Sequence, residues 1–148
     1  MAVDISSEIV IRRSRDQVAA SSADPDNAPK WYVNIKSVEW KTPPPLRIGS
    51  QIAFVAHFLG RRMAYVYEIA ELQSGRRLVM RTADGPFPME TTYEWQSVDD
   101  RSTRMKLRNR GNPSGFSRLA APFMGMAMRR ANRKDLARLK EILENEGL

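Results

Sequence analysis

The chain has 148 residues, 42% of them hydrophobic and 28% charged, with a formal net charge of +7 and no cysteine. Length and composition fit one ordinary domain spanning 1–148, globular rather than disordered or membrane-spanning. Without cysteine, disulfides, zinc–thiolate sites and thiol nucleophiles are excluded.

Asp4 and Glu8 stand where a secretory signal needs a basic region followed by an unbroken apolar stretch. Val3, Ile5, Ser7, Ile9 and Ile11 alternate instead with Asp4, Ser6, Glu8, Val10 and Arg12, the period of a half-buried strand over 3–13. Ser14 is placed to cap a short helix over 15–23, which Asp24-Pro25 ends because a residue before proline is driven from the helical region. Asp26 or Asn27 then starts a second short helical turn, with Pro29 in its first turn and Trp31 and Tyr32 behind it.

A short strand is predicted over 35–41, followed by a loop at Thr42-Pro43-Pro44-Pro45, since successive prolines cannot feed a hydrogen-bond ladder. Ile52, Phe54, Ala56 and Phe58 alternate along the next strand, and Gly60-Arg61 turns the chain into Met63, Tyr65, Tyr67 and Ile69. Ser74-Gly75 leads into Leu78, Met80 and Thr82, and Gly85-Pro86 into Met89, Thr91, Tyr93 and Trp95. Met105, Leu107 and Asn109 alternate with Arg104, Lys106, Arg108 and Arg110 along the seventh strand. From about Phe116 the spacing turns helical: Phe116, Leu119, Ala120, Phe123 and Ala127 make one stripe, continued by Leu136, Leu139 and Leu143, with a kink or broken first section expected at Pro122. A helix of roughly 30 residues is about 45 Å long, enough to cross a small sheet. No apolar segment approaches the roughly 20 residues that span a bilayer, so a soluble, cytoplasmic protein is expected.

No Asp or Glu falls between Arg101 and Lys134, a stretch that holds Arg104, Lys106, Arg108, Arg110, Arg118, Arg129, Arg130, Arg133 and Lys134. Such a run is either a solvated strand face with a basic helix flank or a surface for an anionic membrane or an acidic protein. The basic positions are not interleaved with outward aromatics, so nucleic acid is not expected as a partner.

The segments Asp24-Pro25-Asp26-Asn27-Ala28-Pro29-Lys30-Trp31-Tyr32, Phe58-Leu59-Gly60-Arg61-Arg62, Gly85-Pro86-Phe87-Pro88 and Asp135-Leu136-Ala137-Arg138-Leu139-Lys140 occur in an order and spacing that resemble the polyketide cyclase/dehydrase-type branch of the START-related helix-grip superfamily, SRPBCC. The resemblance runs nearly end to end. It implies an α+β helix-grip fold: a strand, two short helices, six more antiparallel strands, and a long C-terminal helix gripped by the curved seven-stranded sheet around a hydrophobic cavity. It implies no shared catalytic motif, because such proteins include lipid and hormone binders, aromatic cyclases and chaperone activators.

The residues expected around that cavity are Trp31, Phe54, Phe58, Tyr65, Tyr67, Met80, Phe87, Met89, Thr91, Tyr93, Trp95, Asn109, Phe116, Leu119 and Phe123, which line a ligand pocket or form plain core. Thr82 and Asp84 share their inward parity. Asp84 is the carboxylate candidate for acid–base work if desolvation raises its pKa, and a turn carboxylate otherwise; Tyr65, Tyr67 and Tyr93 are the other catalytic candidates. His57, the one histidine, falls on the outward parity, which leaves no metal site or histidine relay to expect. No cofactor motif is present: neither a phosphate-binding loop nor a dinucleotide glycine fingerprint occurs. The function these readings predict is a monomeric or weakly dimeric binder or carrier of a hydrophobic lipid, acyl or aromatic molecule. The alternatives are a cyclase, dehydratase or isomerase working in the same cavity, and attachment to a protein or anionic membrane through the basic strand face.

Overall fold

Period-two alternation builds seven strands: β1 (Val3–Ile11), β2 (Ile35–Trp40), β3 (Gln51–Phe58), β4 (Arg61–Gln73), β5 (Arg77–Asp84), β6 (Met89–Asp99) and β7 (Ser102–Gly111). The computed structural model describes residues 3–112 and 121–145, with side chains from 123 onward in the second span. All pairings are antiparallel in the order β1-β7-β6-β5-β4-β3-β2, so the first strand lies beside the last and every other neighbour is a sequential hairpin or meander step. The β3–β4 hairpin closes on Leu59 and Gly60, both at positive φ (50° and 74°), the backbone that a two-residue turn between right-twisted strands requires.

The sheet curls around one long helix, α3 (Ala121–Asn145), 25 residues and about 37 Å long. Pro122 stands at the edge of the described residues, so the break expected there is at the limit of the described part of α3. The expected stripe positions Phe116 and Leu119 lie outside the described residues. Between β1 and β2 sit α1 (Arg15–Ala23), a 3₁₀ turn (Pro25–Asn27) and α2 (Ala28–Trp31). Ser14 and Gln17 form a capping box at the start of α1, and the Asp24 side chain accepts from Asp26 N–H to cap the 3₁₀ turn.

Two register events in the β4–β5 ladder shape the concave face. Ile69 pairs with Met80 and Glu71 with Val79, so Ala70 is an extra residue on β4; Val66 pairs with Asp84 and Tyr67 with Thr82, so Ala83 is an extra residue on β5. Each bulge bends its strand and flips the parity beyond it. Leu72 thereby joins the core, and Asp84, inward by simple alternation, is exposed.

The main core lies between the concave face and the C-terminal half of α3, where Ile11, Trp31, Met105, Leu107, Leu136 and Leu139 are almost fully buried. Glu144 locks that end. It accepts from the backbone N–H of Arg12 (2.9 Å), from the Arg12 guanidinium (3.1 Å) and from Lys140, while Arg13 donates to its carbonyl (2.9 Å). Among the described residues no helix is long and apolar enough to cross a membrane.

On the convex face the β7 part of the acid-free run is paired with acids from elsewhere in the chain. Arg108 binds both carboxylate oxygens of Asp4 (2.8 and 2.7 Å), Arg104 faces Glu8 (3.9 Å), Arg110 reaches Glu90 (3.4 Å), and Lys106 stands in register between Glu8 and Glu94. Antiparallel pairing of β7 with β1 and β6 interleaves the charges, in keeping with the reading of this strand as a solvated face.

Candidate functional site

Between the concave face and the middle of α3 lies a cavity of about 140 Å³. Phe54, Phe58, Tyr65 and Tyr67 come to it from β3 and β4, Met80 from β5, Met89, Thr91 and Tyr93 from β6, Asn109 from β7, and Phe87 from the β5–β6 turn. These are ten of the fifteen cavity positions expected from sequence. From α3, Met124, Met128, Ala131, Asn132 and Asp135 complete the wall, and Tyr32 and Asn34 close it beyond α2.

The other five expected positions fall elsewhere or outside the described residues. Trp31 is fully buried behind the wall, with ring centroids 4.1 Å from Tyr32 and 5.8 Å from Tyr93. Trp95 is core, its indole N–H donating to Ser22 Oγ at 3.0 Å. Phe116 and Leu119 lie outside the described residues. Phe123, the fifth, is 70% exposed, because its neighbour Met124, 2% exposed, takes the inward position on α3. The inward stripe is Met124, Met128, Asn132, Asp135, Leu139 and Leu143, one helix position removed from the stripe read through Phe123. His57 is exposed, and Asp84 sits outside the cavity wall.

The apolar walls are crossed by one polar chain. Thr91 Oγ donates to Asn109 Oδ1 at 2.7 Å, so it accepts from the Tyr67 hydroxyl at 2.8 Å; Asn109 Nδ2 then donates to Asn132 Oδ1 at 3.1 Å. The chain runs from β4 through β6 and β7 to α3 and ends on the Asn132 amide, whose Nδ2 is buried with no hydrogen-bond partner among the described residues. A second pair, Tyr32 Oη and Tyr93 Oη, shares a short hydrogen bond of 2.5 Å.

Burial controls the ionisation of these groups. It pushes the Tyr67 phenol up to about 12 despite the Thr91 hydrogen bond, and drives Tyr32, Tyr65 and Tyr93 well above their ordinary range, so all four are neutral phenols that donate but do not serve as bases. Of the two carboxylates in the wall, Asp24 caps the 3₁₀ turn and Asp135 is the buried one. Desolvation raises it from 3.8 to about 6 against the pull of the Val33 N–H, which donates to Oδ1 at 2.9 Å, and of Arg138. Asn132 and Asp135 are not among the positions expected from sequence, yet their signal is there. Asn132 is four residues before Leu136 and Asp135 four before Leu139, which places two polar side chains in the apolar stripe.

A family model described as polyketide cyclase/dehydrase and lipid transport matches residues 2–144. No curated protein sequence matches the chain. Among solved structures, a START superfamily protein from Mycobacterium smegmatis superposes with a TM-score of 0.83 at 12% identity, covering 95% of this chain and 97% of that one. TTHA0849 from Thermus thermophilus gives 0.80 at 18% identity over 93% and 94%. The Zhui aromatase/cyclase from Streptomyces sp. R1128 gives 0.77 at 13% identity over 98% of each chain. At these identities the likeness is one of fold.

Proposed function

The chain belongs to the polyketide cyclase/dehydrase and lipid transport family, and from that premise we propose that it binds and carries a small hydrophobic molecule in the cavity between its sheet and α3. The observation that carries the reading is the wall itself: aromatic and Met side chains from four strands and Met side chains from α3, with few polar groups, in the usual manner of a ligand site. The volume narrows the ligand. About 140 Å³ is close to the roughly 150 Å³ cavity that holds benzene, and well below the roughly 300 Å³ at which drug-sized pockets begin. One ring or a short acyl chain fits; a fused-ring molecule does not fit without movement of α3. Native mass spectrometry of the purified protein tests this directly. A copurified compound of that size, or saturable one-to-one toluene binding by calorimetry, supports the reading, and neither being found removes it.

An enzymatic reading rests on Asp135. A buried carboxylate raised to about 6 is poised for general acid–base work near neutral pH, and it replaces Asp84 as the candidate. Exchange of the α-protons of phenylacetone into deuterated water, followed by NMR, tests it: catalysis is expected from the wild type and lost in Asp135→Asn.

Attachment to an anionic membrane is assigned to the start of α3 rather than to β7. Phe123 and Met126 are about 70% exposed there, followed by exposed Arg129, Arg130, Arg133 and Lys134, an apolar tip with a basic collar. Sedimentation with phosphatidylglycerol vesicles at low salt should fall in Phe123→Ser/Met126→Ser and be unchanged by Arg104→Gln.

A further inference from the structure

Most polar atoms in the cavity wall are already spoken for. Tyr67, Thr91 and Asn109 satisfy one another, Tyr32 and Tyr93 share a bond, and the guanidinium of Arg110 is held on the convex face by Glu90 (3.4 Å) and Asp4 (4.0 Å). Apart from Arg110 Nε, which has no hydrogen-bond partner among the described residues, and the Tyr65 hydroxyl, two groups on α3 are left. Asn132 is 96% buried by its 4% exposure, and its Oδ1 is fixed as the acceptor of Asn109, which leaves Nδ2–H as a donor without a partner. Asp135 is also buried, and Val33 occupies one carboxylate oxygen, leaving Oδ2 as an acceptor. The spacing of three residues puts these side chains about one helical turn apart, on neighbouring positions of the face that lines the cavity.

We infer that Asn132 and Asp135 form a hydroxyl-reading subsite, in which one neutral alcohol or phenol oxygen of the ligand accepts from Asn132 Nδ2 and donates its hydrogen to Asp135 Oδ2. A hydroxyl is the smallest group that is donor and acceptor at once, so it satisfies both residues in a cavity that has room for little else. An unsubstituted hydrocarbon leaves the buried Asn132 donor unmet, and sites built to bond a hydroxyl discriminate against ligands that lack one. A carboxylic acid is excluded for a different reason: its carboxylate would lie beside that of Asp135 in a desolvated space, where like charges repel strongly. The ligand class is thus an uncharged, one-ring or short-chain hydroxy compound, not a free fatty acid.

The inference rests on the cavity being a ligand site, and the test separates the two. Toluene, p-cresol and p-toluate are titrated calorimetrically into the full-length protein. p-Cresol is expected to bind about tenfold more tightly than toluene, the worth of hydrogen bonds that include a charged partner, and p-toluate more weakly than either. Asn132→Leu removes the donor and leaves Asp135 Oδ2, so the ratio of cresol to toluene affinity should fall severalfold. Asp135→Asn keeps an acceptor for Val33 but turns a donor toward the ligand, so the preference should invert, with p-toluate gaining and p-cresol losing affinity. A purely structural role for Asp135 predicts no such inversion. Equal binding of toluene and p-cresol by the wild type, or a cresol preference that survives both substitutions, overturns the subsite while leaving the apolar cavity in place. Failure of all three compounds to bind overturns both.

Discussion

The two halves of α3 meet the same sheet on different terms. Toward its C-terminus, Leu136, Leu139 and Leu143 are 0–3% exposed against Ile11, Trp95 and Met105, and Glu144 gathers bonds from Arg12 and Lys140. Toward its N-terminus, Met124 and Met128 pack, among the described residues, with Val3, Ile5 and Phe58 in a small cluster apart from the main core, while Phe123 and Met126 face outward. The cavity lies between the two regimes. A helix anchored at one end and lightly packed at the other holds the fold together without filling the space it covers, which is how one core serves both stability and binding.

The largest test of this contrast is truncation. Leu139→Ala should cost about 2–5 kcal/mol in urea unfolding, the range for a fully buried leucine, and Met128→Ala well under half of that. Equal losses would break the comparison.

Next in size is the response to pH, because two acids of α3 have opposite signs. Asp135 is raised in the folded state from 3.8 to about 6, so the native protein holds its proton more tightly than the unfolded chain; its own contribution to stability is fully present below about pH 4 and is lost as pH rises through about 6. That lift corresponds to roughly 3 kcal/mol at most, and Asp135→Asn should recover part of it at neutral pH. Glu144 is lowered from 4.5 to about 2: burial alone would raise it, but bonds from Lys140 and Arg12 outweigh that. Its contribution is present above about pH 4.5 and lost as pH falls toward 2, so Glu144→Gln should flatten the acid limb alone. Stability measured across pH 2–8 in both variants checks the two signs.

Smaller effects sharpen the comparison further. Ser14→Ala, at the anchored end, removes the capping box of α1 and should cost about 1 kcal/mol in thermal or urea unfolding. Arg108→Gln, on the exposed ladder near the other end, should leave the unfolding midpoint almost unchanged even though its pair with Asp4 is bidentate, since both side chains are about 40% exposed.

How much of this was legible in the sequence depends on whether the cause is local. Strand parity and the leucine stripe of α3 are local, and they placed Phe54, Tyr67, Met80, Tyr93 and Leu139 on the correct faces. Asp84 went astray because an extra residue at Ala83 is a property of two strands together, and alternation along one strand carries no trace of it. Phe123 went astray by one helix position, since the start of α3 offers Phe123, Met124, Met126 and Met128 in nearly every phase. The neutralised basic strand was hidden by distance: Asp4 is 104 residues from Arg108 in the chain and 2.7 Å from it in space. Asn132 and Asp135 were readable only to an eye looking for polar intruders in an apolar stripe.

The two bulges of the β4–β5 ladder carry a consequence for insertions and deletions. Ala70 adds a residue to one strand and Ala83 adds one to the other, so the pairing shifted between Tyr67 and Ile69 returns to its original alignment beyond Glu71. The pair behaves as a compensated frame shift written in backbone. Loss of either alanine alone leaves every paired residue opposite its present partner, because the extra residue has none, so that bulge closes into regular ladder with the inward residues still inward. Curvature at this point is therefore adjustable one bulge at a time, and a flatter sheet over the same helix is reached by two single deletions taken in either order.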